Sequence, residues 1–320
     1  MSTTKEFSGE FSPLRAIFFP IHAHEIKKFL PMGLMMFFIL FNYNILRDTK
    51  DTLVVNAAGA EALSLLKLFG TVPAAVLILL IYSKLSTIFS RERLFYITLL
   101  PFIIFFGLFA SVIYPNRELL HPSIDTIQQL SAEFPRFKTF FAVYGSWSYA
   151  LFYVLSELWG SVILSLLFWQ FANEIVQFRE AKRFYSLFGM VANFGLIGAG
   201  IAVQYFSNVR DSLGVGIDPW GYTLNYLMGS VCLAGLALIC IYRWINKSVL
   251  TDPRYYNATE TKPKKEKQKL SLKESFFYLI RSKHLGYIAL LMICYGISIN
   301  VIEAVWKDQI KKVYGSENSY

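Results

Sequence analysis

Long apolar runs recur along this chain and constrain its fold more than any other feature. Each run is long enough to cross the hydrocarbon core of a bilayer, about 30 Å thick, as a single α-helix. The chain is therefore predicted to be an all-α polytopic membrane protein with seven spans, called spans 1 to 7 in chain order. The runs cover residues 29–47, 63–82, 94–113, 140–172, 185–206, 222–243 and 285–306.

The composition of the chain supports the same class. Hydrophobic residues make up 55% of the 320 residues, charged residues only 17%, and the mean hydropathy is +0.43. Such values are typical of polytopic membrane proteins. The net charge of +9 does not indicate a nucleic-acid partner, because the lysines and arginines lie mostly between the apolar runs and no DNA-reading or zinc-finger pattern occurs. The expected environment is a lipid bilayer.

The lysines and arginines are distributed unequally between the two sides of the predicted bilayer. With the N-terminus inside, 21 of them fall on the inner side and 9 on the outer side, while Lys67 lies within span 2. Because Lys and Arg concentrate on the cytoplasmic side of membrane proteins, the N-terminus is predicted to be cytoplasmic.

A basic connection, residues 244–284, separates the first six spans from the seventh. We expect a cytoplasmic tail at 1–28, a six-helix transmembrane domain at 29–243, and an incomplete second domain at 285–320 that contains span 7. Six spans, a cytoplasmic linker and the start of a second set are the layout of a major-facilitator-like transporter, in which each half contains two inverted three-helix repeats. On this interpretation the chain is a fragment of a longer protein.

Glu157 lies near the middle of the apolar run of span 4. A charge at mid-depth costs roughly 2.5–3.5 kcal/mol, so a compensating group and a functional role are expected. Polar and aromatic residues recur every four positions here and predict a stripe facing protein or water, formed by Gly145, Tyr149, Tyr153, Glu157, Ser161 and Ser165. Tyr149 or Tyr153 could stack on a planar base while Glu157 accepts from its exocyclic amine, or Glu157 could pair with Lys67 when no substrate is bound. The alternative is a structural ion pair.

Three cations are predicted to meet at the outer ends of spans 1 and 2. Arg47 and Lys50 end span 1, and Lys67 lies about one turn inside span 2. Such a group would attract a polyanion, for example a nucleoside di- or triphosphate, and bind it through charge-assisted hydrogen bonds. The alternative is that Arg47 and Lys50 are interfacial anchors paired with Asp48 and Asp51.

Span 7 contributes a further pair of charges near the outer side. Glu303 and Lys307 are four residues apart on one helical face, so a simple helical ion pair is one interpretation. Spans 1, 4 and 7 are expected to line the central path of a twelve-span transporter of this layout. That analogy places the charges of the three spans in one cavity.

Span 5 carries a polar residue beside a face of small residues. Gly195 and Ala199 form a small-xxx-small pattern that predicts close packing of two helices. Asn193 could bond to a neighbouring helix or to a substrate, and the sequence leaves both open.

The sequence lacks the patterns of ATP-hydrolysing and metal-dependent enzymes. No G-x-x-x-x-G-K-[ST] phosphate loop occurs, and the four histidines lie in predicted tails and connections. We therefore expect a membrane transporter that uses no metal or cofactor, and not an enzyme.

Several segments of the chain closely resemble the ATP/ADP translocases of obligate intracellular bacteria and plastids. The resemblance covers essentially the whole chain, and its blocks occur in order with matching spacing. These blocks are residues 42–51, 156–161, 168–175, 180–185 and 295–303.

The resemblance implies a twelve-span nucleotide transporter that exchanges external ATP for internal ADP. In that family a lysine in span 2 and glutamates in spans 4 and 7 are essential, and they match Lys67, Glu157 and Glu303. A further essential lysine belongs to the second half, which this sequence does not contain. The implied location is a bacterial inner membrane, with the plastid envelope as the alternative.

Two other functions remain open from the sequence. One is a proton-coupled or broader-specificity nucleotide importer, in which Glu157 or Glu303 carries the proton. The other is a membrane protein that transports nothing, such as a scaffold or a lipid-modifying enzyme.

Overall fold

A computed structural model describes residues 19–210, 218–252, 255 and 281–314 of the chain. Within these ranges every regular element is helical. The α-helices are Ile26–Ala58, Glu61–Leu66, Val72–Ile88, Arg91–Leu108, Arg117–Leu120, Ile124–Glu133, Lys138–Gly145, Trp147–Leu158, Trp169–Ile175, Phe178–Arg210, Pro219–Ser248 and Lys283–Tyr314. Short 3-10 turns lie at Ala23–Glu25 and Pro135–Phe137, and π-helical stretches lie at Lys67–Thr71, Phe109–Ile113 and Trp159–Phe168.

Continuous helical segments long and apolar enough to cross a bilayer number six in the described part of the chain. The predicted all-α polytopic class is thereby confirmed. At the place predicted for span 7 the helix Lys283–Tyr314 carries a shorter apolar stretch, Lys283–Ile299. Spans 1 to 6 are Ala23–Ala58, Glu61–Ile88, Arg91–Ile113, Trp147–Ile175, Phe178–Asn208 and Pro219–Ser248.

Two parts of the predicted organisation stay predictions. The basic connection falls largely on residues 253–254 and 256–280, which lie outside the described residues. The division into inverted three-helix repeats is likewise a prediction, because the helices establish the class and not the internal symmetry.

Span 1 extends well beyond the apolar run that predicted it. The run ends at position 47, but the helix continues to Ala58. Gly59 then ends it with a φ of 85°, a value that glycine adopts readily and other residues rarely do. The Gly59 amide donates to the Val55 carbonyl and closes the last turn. Lys50, assigned from the sequence to the outer connection, therefore lies inside the helix and is buried.

Span 1 is the central helix of the bundle, since it packs against spans 4, 5 and 6. From span 4, the Trp159 indole donates to the Ile39 carbonyl at 3.1 Å. Toward span 6, the amide of Asn42 donates to the Val231 carbonyl at 3.0 Å. These bonds join side chains to backbone carbonyls across helices, so they fix both the axial and the rotational position of span 1.

Span 5 approaches span 1 through the small-residue face predicted from the sequence. A Cβ atom added at Gly195 would lie 2.8 Å from the Phe37 carbonyl oxygen and 3.2 Å from the Phe41 nitrogen. Ala199, one turn later, is 1% exposed. Only glycine lets the two backbones come this close.

Ion pairs join the N-terminal ends of spans 1 and 5. Arg183 donates to both carboxylate oxygens of Glu25, at 2.8 and 2.6 Å, and to the Pro20 carbonyl at 3.0 Å. Lys28 contacts Glu180 at 2.7 Å. Since Glu25, Lys28 and Arg183 are all buried, each charge needs the opposite charge beside it.

A second polar cluster lies at the opposite end, where the connection between spans 3 and 4 meets the start of span 6. Arg117 contacts Asp218 at 3.0 Å, and its guanidinium lies 4.3 Å from the centre of the Tyr114 ring. His121 Nε2 is 2.7 Å from Ser148 Oγ in the first turn of span 4. Burial, and then the nearby charge of Arg117, lower the pKa of His121 below its ordinary value of 6.5.

The first prediction concerns the contact between spans 1 and 5. Gly195→Ala is expected to lower the thermal midpoint of the protein, because the new methyl group would press on the backbone of span 1. Gly200→Ala is the matched control, since a Cβ added there would have no atom within 4 Å other than those of its chain neighbours and its own helix backbone, and alanine favours a helix over glycine by about 1 kcal/mol. Scanning fluorimetry in detergent measures both. A midpoint for Gly195→Ala at or above that of Gly200→Ala would contradict the close contact.

The second prediction concerns pH and His121. A histidine whose pKa is lowered on folding stays neutral in the native state while the unfolded chain binds a proton, so stability is complete above the unfolded pKa and declines below it. We expect the thermal midpoint to fall as the pH drops from about 7.5 to about 5.5. His121→Gln, which cannot titrate, should flatten part of that decline. An identical pH dependence in both proteins would show that folding does not lower the pKa of His121.

Candidate functional site

Opposite charges from spans 1 and 4 meet at a buried lysine. Lys50 Nζ lies 2.8 Å from Glu157 Oε1 and 2.6 Å from Asp51 Oδ1. The same ammonium lies 4.3 Å from the centre of the Tyr153 ring. Lys50 is 3% exposed and Asp51 5%, so this four-residue group, named the Lys50 cluster, lies inside the helix bundle.

The carboxylates of the Lys50 cluster outnumber its cation by two to one. One ammonium neutralises one carboxylate, so the cluster carries a net charge of about −1 when all three groups are ionised. The two carboxylates are not equivalent, since the side chain of Glu157 is 27% exposed and that of Asp51 only 7%. Glu157 is therefore the member that a solute could reach.

Span 4 places Glu157 just before its helix changes form. The α-helix Trp147–Leu158 passes into the π-helix Trp159–Phe168, and π-helical turns often occur at functional sites. At this change the Tyr43 ring lies against Gly160, where an added Cβ would be 2.7 Å from Tyr43 Cε2. This contact, with the Trp159 bond to span 1, fixes span 4 directly after Glu157.

The predicted stripe along span 4 is interrupted near its start and otherwise stays a prediction. The helix is interrupted at Ser146, whose φ and ψ are −123° and 39°, and this separates Gly145 from Tyr149. Ser161 and Ser165 lie beyond Leu158, in the π-helix, and both are exposed.

The two tyrosines do not present faces for a stacked base in this structure. Tyr153 is 0% exposed, and the Lys50 ammonium lies over its ring. Tyr149 is half-buried among aromatic rings, with the centroid of Tyr114 at 6.1 Å and that of His121 at 5.1 Å. The predicted stacking role is corrected accordingly: Tyr153 supports a cation, and Tyr149 packs in the polar cluster around Arg117 and His121.

Lys50 also differs from its predicted role as a phosphate ligand. Its ammonium is already enclosed by Asp51, Glu157 and the Tyr153 ring. The alternative drawn from the sequence, a Lys50–Asp51 pair, is the arrangement observed. The partner that Glu157 takes is Lys50, although the sequence pointed to Lys67.

Lys67 lies on span 2, at the first residue of the π-helix Lys67–Thr71, and is half-buried. Span 2 packs closely on span 4 at this level, because a Cβ added at Gly70 would be 2.8 Å from Val154 Cγ2. Val154 is the neighbour of Tyr153 in sequence. Lys67 therefore belongs to the part of span 2 that lies beside the Lys50 cluster.

The remaining predicted site residues are distributed over three helices. Arg47 is exposed on span 1, one turn before Lys50. Asn193 is exposed on span 5 and donates to the Gly189 carbonyl of its own helix at 2.9 Å. Glu303 and Lys307 lie in the helix Lys283–Tyr314, but their side chains are outside the described residues.

Asp51 is the site residue that sequence reasoning undervalued. The sequence predicts it only as a partner of an interfacial anchor, because the apolar run stops before it. The signal that could have found it is Gly59, which marks the helix end two turns further on. No group of three His, Cys, Asp or Glu suited to a metal ion occurs among the residues whose structure is described.

The family model and several similar curated proteins all carry the name of one kind of carrier. The family model described as TLC ATP/ADP transporter matches residues 4–320. A protein named ADP,ATP carrier protein 1 from Chlamydia muridarum is 53% identical over 99% of this chain and 60% of its own length. The protein of the same name from Rickettsia bellii is 46% identical over 100% of this chain and 63% of its own length.

A plastid relative is similar to nearly the same extent. The chloroplastic ADP,ATP carrier protein 1 of Arabidopsis thaliana is 45% identical over 94% of this chain and 48% of its own length. No solved structure gives a significant match. The chain spans about three fifths of the length of the bacterial relatives that it matches. Because the family model covers almost all of the chain, the chain belongs to the TLC ATP/ADP transporter family.

Proposed function

We propose that this chain is part of a membrane antiporter that exchanges ATP for ADP by alternating access. The observation that carries the proposal is the Lys50 cluster, an ionic group held between two membrane helices in a member of this family. Intramembrane charges of this kind mark solute paths more often than they stabilise a fold. The names of the bacterial and plastid relatives supply the nucleotide pair.

The charge of the Lys50 cluster indicates which end of the nucleotide it would face. With all three of its groups ionised the Lys50 cluster would repel phosphates, so the phosphates would bind to cations outside it, Arg47 and Lys67, with Lys307 as a further candidate. Glu157, the more exposed carboxylate, would instead accept hydrogen bonds from the exocyclic amine of adenine or from ribose hydroxyls. Glu303 would complete the site from span 7.

The charges of the site would also explain why ATP could cross only in exchange for ADP. Glu157 pairs with Lys50 in the structure, so a solute must compete for it. Moving the cations of the site through the occluded state without a bound polyanion would be unfavourable, because removing a charge from water is costly. A bound nucleotide removes that barrier in either direction. Return of the carrier would therefore require the counter-substrate.

The proposed location is a bacterial inner membrane, with several spans and a cytoplasmic N-terminus. The six described spans support the membrane assignment, and the excess of Lys and Arg on one side supports the orientation. The similarity to a chloroplastic carrier keeps the plastid envelope as the alternative.

The proposal predicts that nucleotide uptake depends on nucleotide inside the vesicle. In proteoliposomes containing the full-length protein, labelled ATP should enter vesicles loaded with ADP about tenfold faster than empty vesicles. Vesicles loaded with unlabelled sugar phosphate are the control for internal anions. Equal uptake into loaded and empty vesicles would contradict antiport. Uptake driven by a pH gradient without internal ADP would instead favour the proton-coupled importer.

The placement of Glu157 at the nucleoside end predicts a change in selectivity. Glu157→Gln keeps the size of the side chain and leaves Lys50 paired with Asp51, so the protein should remain folded. Discrimination between ATP and GTP, measured by competition for labelled ATP uptake, should fall by about tenfold. Glu133→Gln, at an exposed position on the outer connection, is the matched control. Unchanged discrimination with reduced uptake would contradict a contact between Glu157 and the base.

A further inference from the structure

Lys50 is shared between a carboxylate of its own helix and a carboxylate of another. Asp51 follows it directly in span 1, whereas Glu157 belongs to span 4. When spans 1 and 4 move relative to each other, the Lys50–Asp51 pair can move as a unit. The Lys50–Glu157 pair is the one that such a motion separates.

The contact between Lys50 and Asp51 is not a default of helix geometry. Consecutive residues on an α-helix point about 100° apart and do not normally face each other. Here both side chains converge, and the ammonium reaches Asp51 at 2.6 Å while remaining over the Tyr153 ring. Among the described residues, Asp51 and Glu157 are the two carboxylates in contact with Lys50.

Burial makes the number of counter-charges important. Lys50 is 3% exposed, and removing the last partner of a buried charge is strongly destabilising. If Glu157 were its sole partner, Glu157 could not turn to a solute without leaving an uncompensated ammonium inside the bundle. A second carboxylate on the same helix removes that penalty.

We infer that Asp51 is a positioning residue: it holds the Lys50 ammonium in place and so frees Glu157 to exchange Lys50 for the nucleoside part of a bound nucleotide. The exchange step rests on the proposed function, whereas the redundancy of the two carboxylates does not. Asp51, which is 7% exposed at its side chain, acts through Lys50 and does not contact the solute.

The redundancy is tested without nucleotide, by thermal midpoints of the full-length protein in detergent. Asp51→Asn and Glu157→Gln should each shift the midpoint slightly, because the other carboxylate still holds Lys50. The double variant should lose about 5 °C more than the sum of the single changes. Adding Lys50→Gln to the double variant should restore most of this loss. Additive shifts, or no recovery with Lys50→Gln, would overturn the inference even in a protein that transports nothing.

The exchange step is tested by ATP/ADP exchange kinetics in proteoliposomes. Asp51→Asn leaves Lys50 dependent on Glu157, so KM for ATP should rise about tenfold while the maximal rate changes less than about threefold. Asp51→Glu should restore KM to within about threefold of the wild type. Asp125→Asn, on the exposed outer connection, is the matched control and should leave both constants unchanged.

A background variant separates positioning from direct contact with the solute. When Lys50→Gln is already present, Asp51→Asn should not change KM further, because no ammonium remains to be held. A further rise in KM in that background, or an unchanged KM with a reduced maximal rate in Asp51→Asn alone, would overturn the positioning role. Absence of exchange by the wild type would reject the proposed function instead. The thermal midpoints of the single, double and triple variants would still test whether Asp51 holds Lys50.

Discussion

A lysine ammonium buried between membrane helices must be neutralised where it lies, and this requirement organises the centre of the structure. Lys50 meets it with Asp51 and Glu157 at hydrogen-bonding distance and with the Tyr153 ring on another side. Because the partners come from spans 1 and 4, the charge links two helices that a transport cycle would separate. The more exposed Glu157 is the partner that we propose a nucleotide displaces during transport.

The rest of the bundle holds span 1 in the position that this link requires. Gly195 brings span 5 against its backbone, while Trp159 and Asn42 bond it to span 4 and span 6. Buried ion pairs around Arg183 and Lys28 fix its N-terminal end. These contacts combine close packing with hydrogen bonds between buried groups, so span 1 can act as a rigid reference for span 2, which is much less buried.

Hydropathy predicted the number and order of the six described spans because the thickness of the bilayer sets the length of an apolar helix. It failed at the end of span 1, where a helix continues through charged residues until Gly59 interrupts it. The central position of Glu157 in its apolar run indicated a functional candidate. Its partner, Lys50, could not be predicted, because Lys50 lies in the part of span 1 that extends beyond the apolar run. The π-helical turns and the buried role of Tyr153 follow from packing between distant segments. No local period in the sequence encodes such packing.

The central claim is that Lys50 joins spans 1 and 4 in the empty protein and exchanges one partner when a nucleotide binds. Cryo-electron microscopy of the full-length protein with and without ATP measures this most directly. Without ATP, Lys50 Nζ should lie about 3 Å from both Asp51 and Glu157; with ATP, the Asp51 contact should persist and the Glu157 contact should open beyond about 4 Å. An empty protein in which Lys50 and Glu157 are apart, or an ATP complex in which they remain paired, would contradict the account.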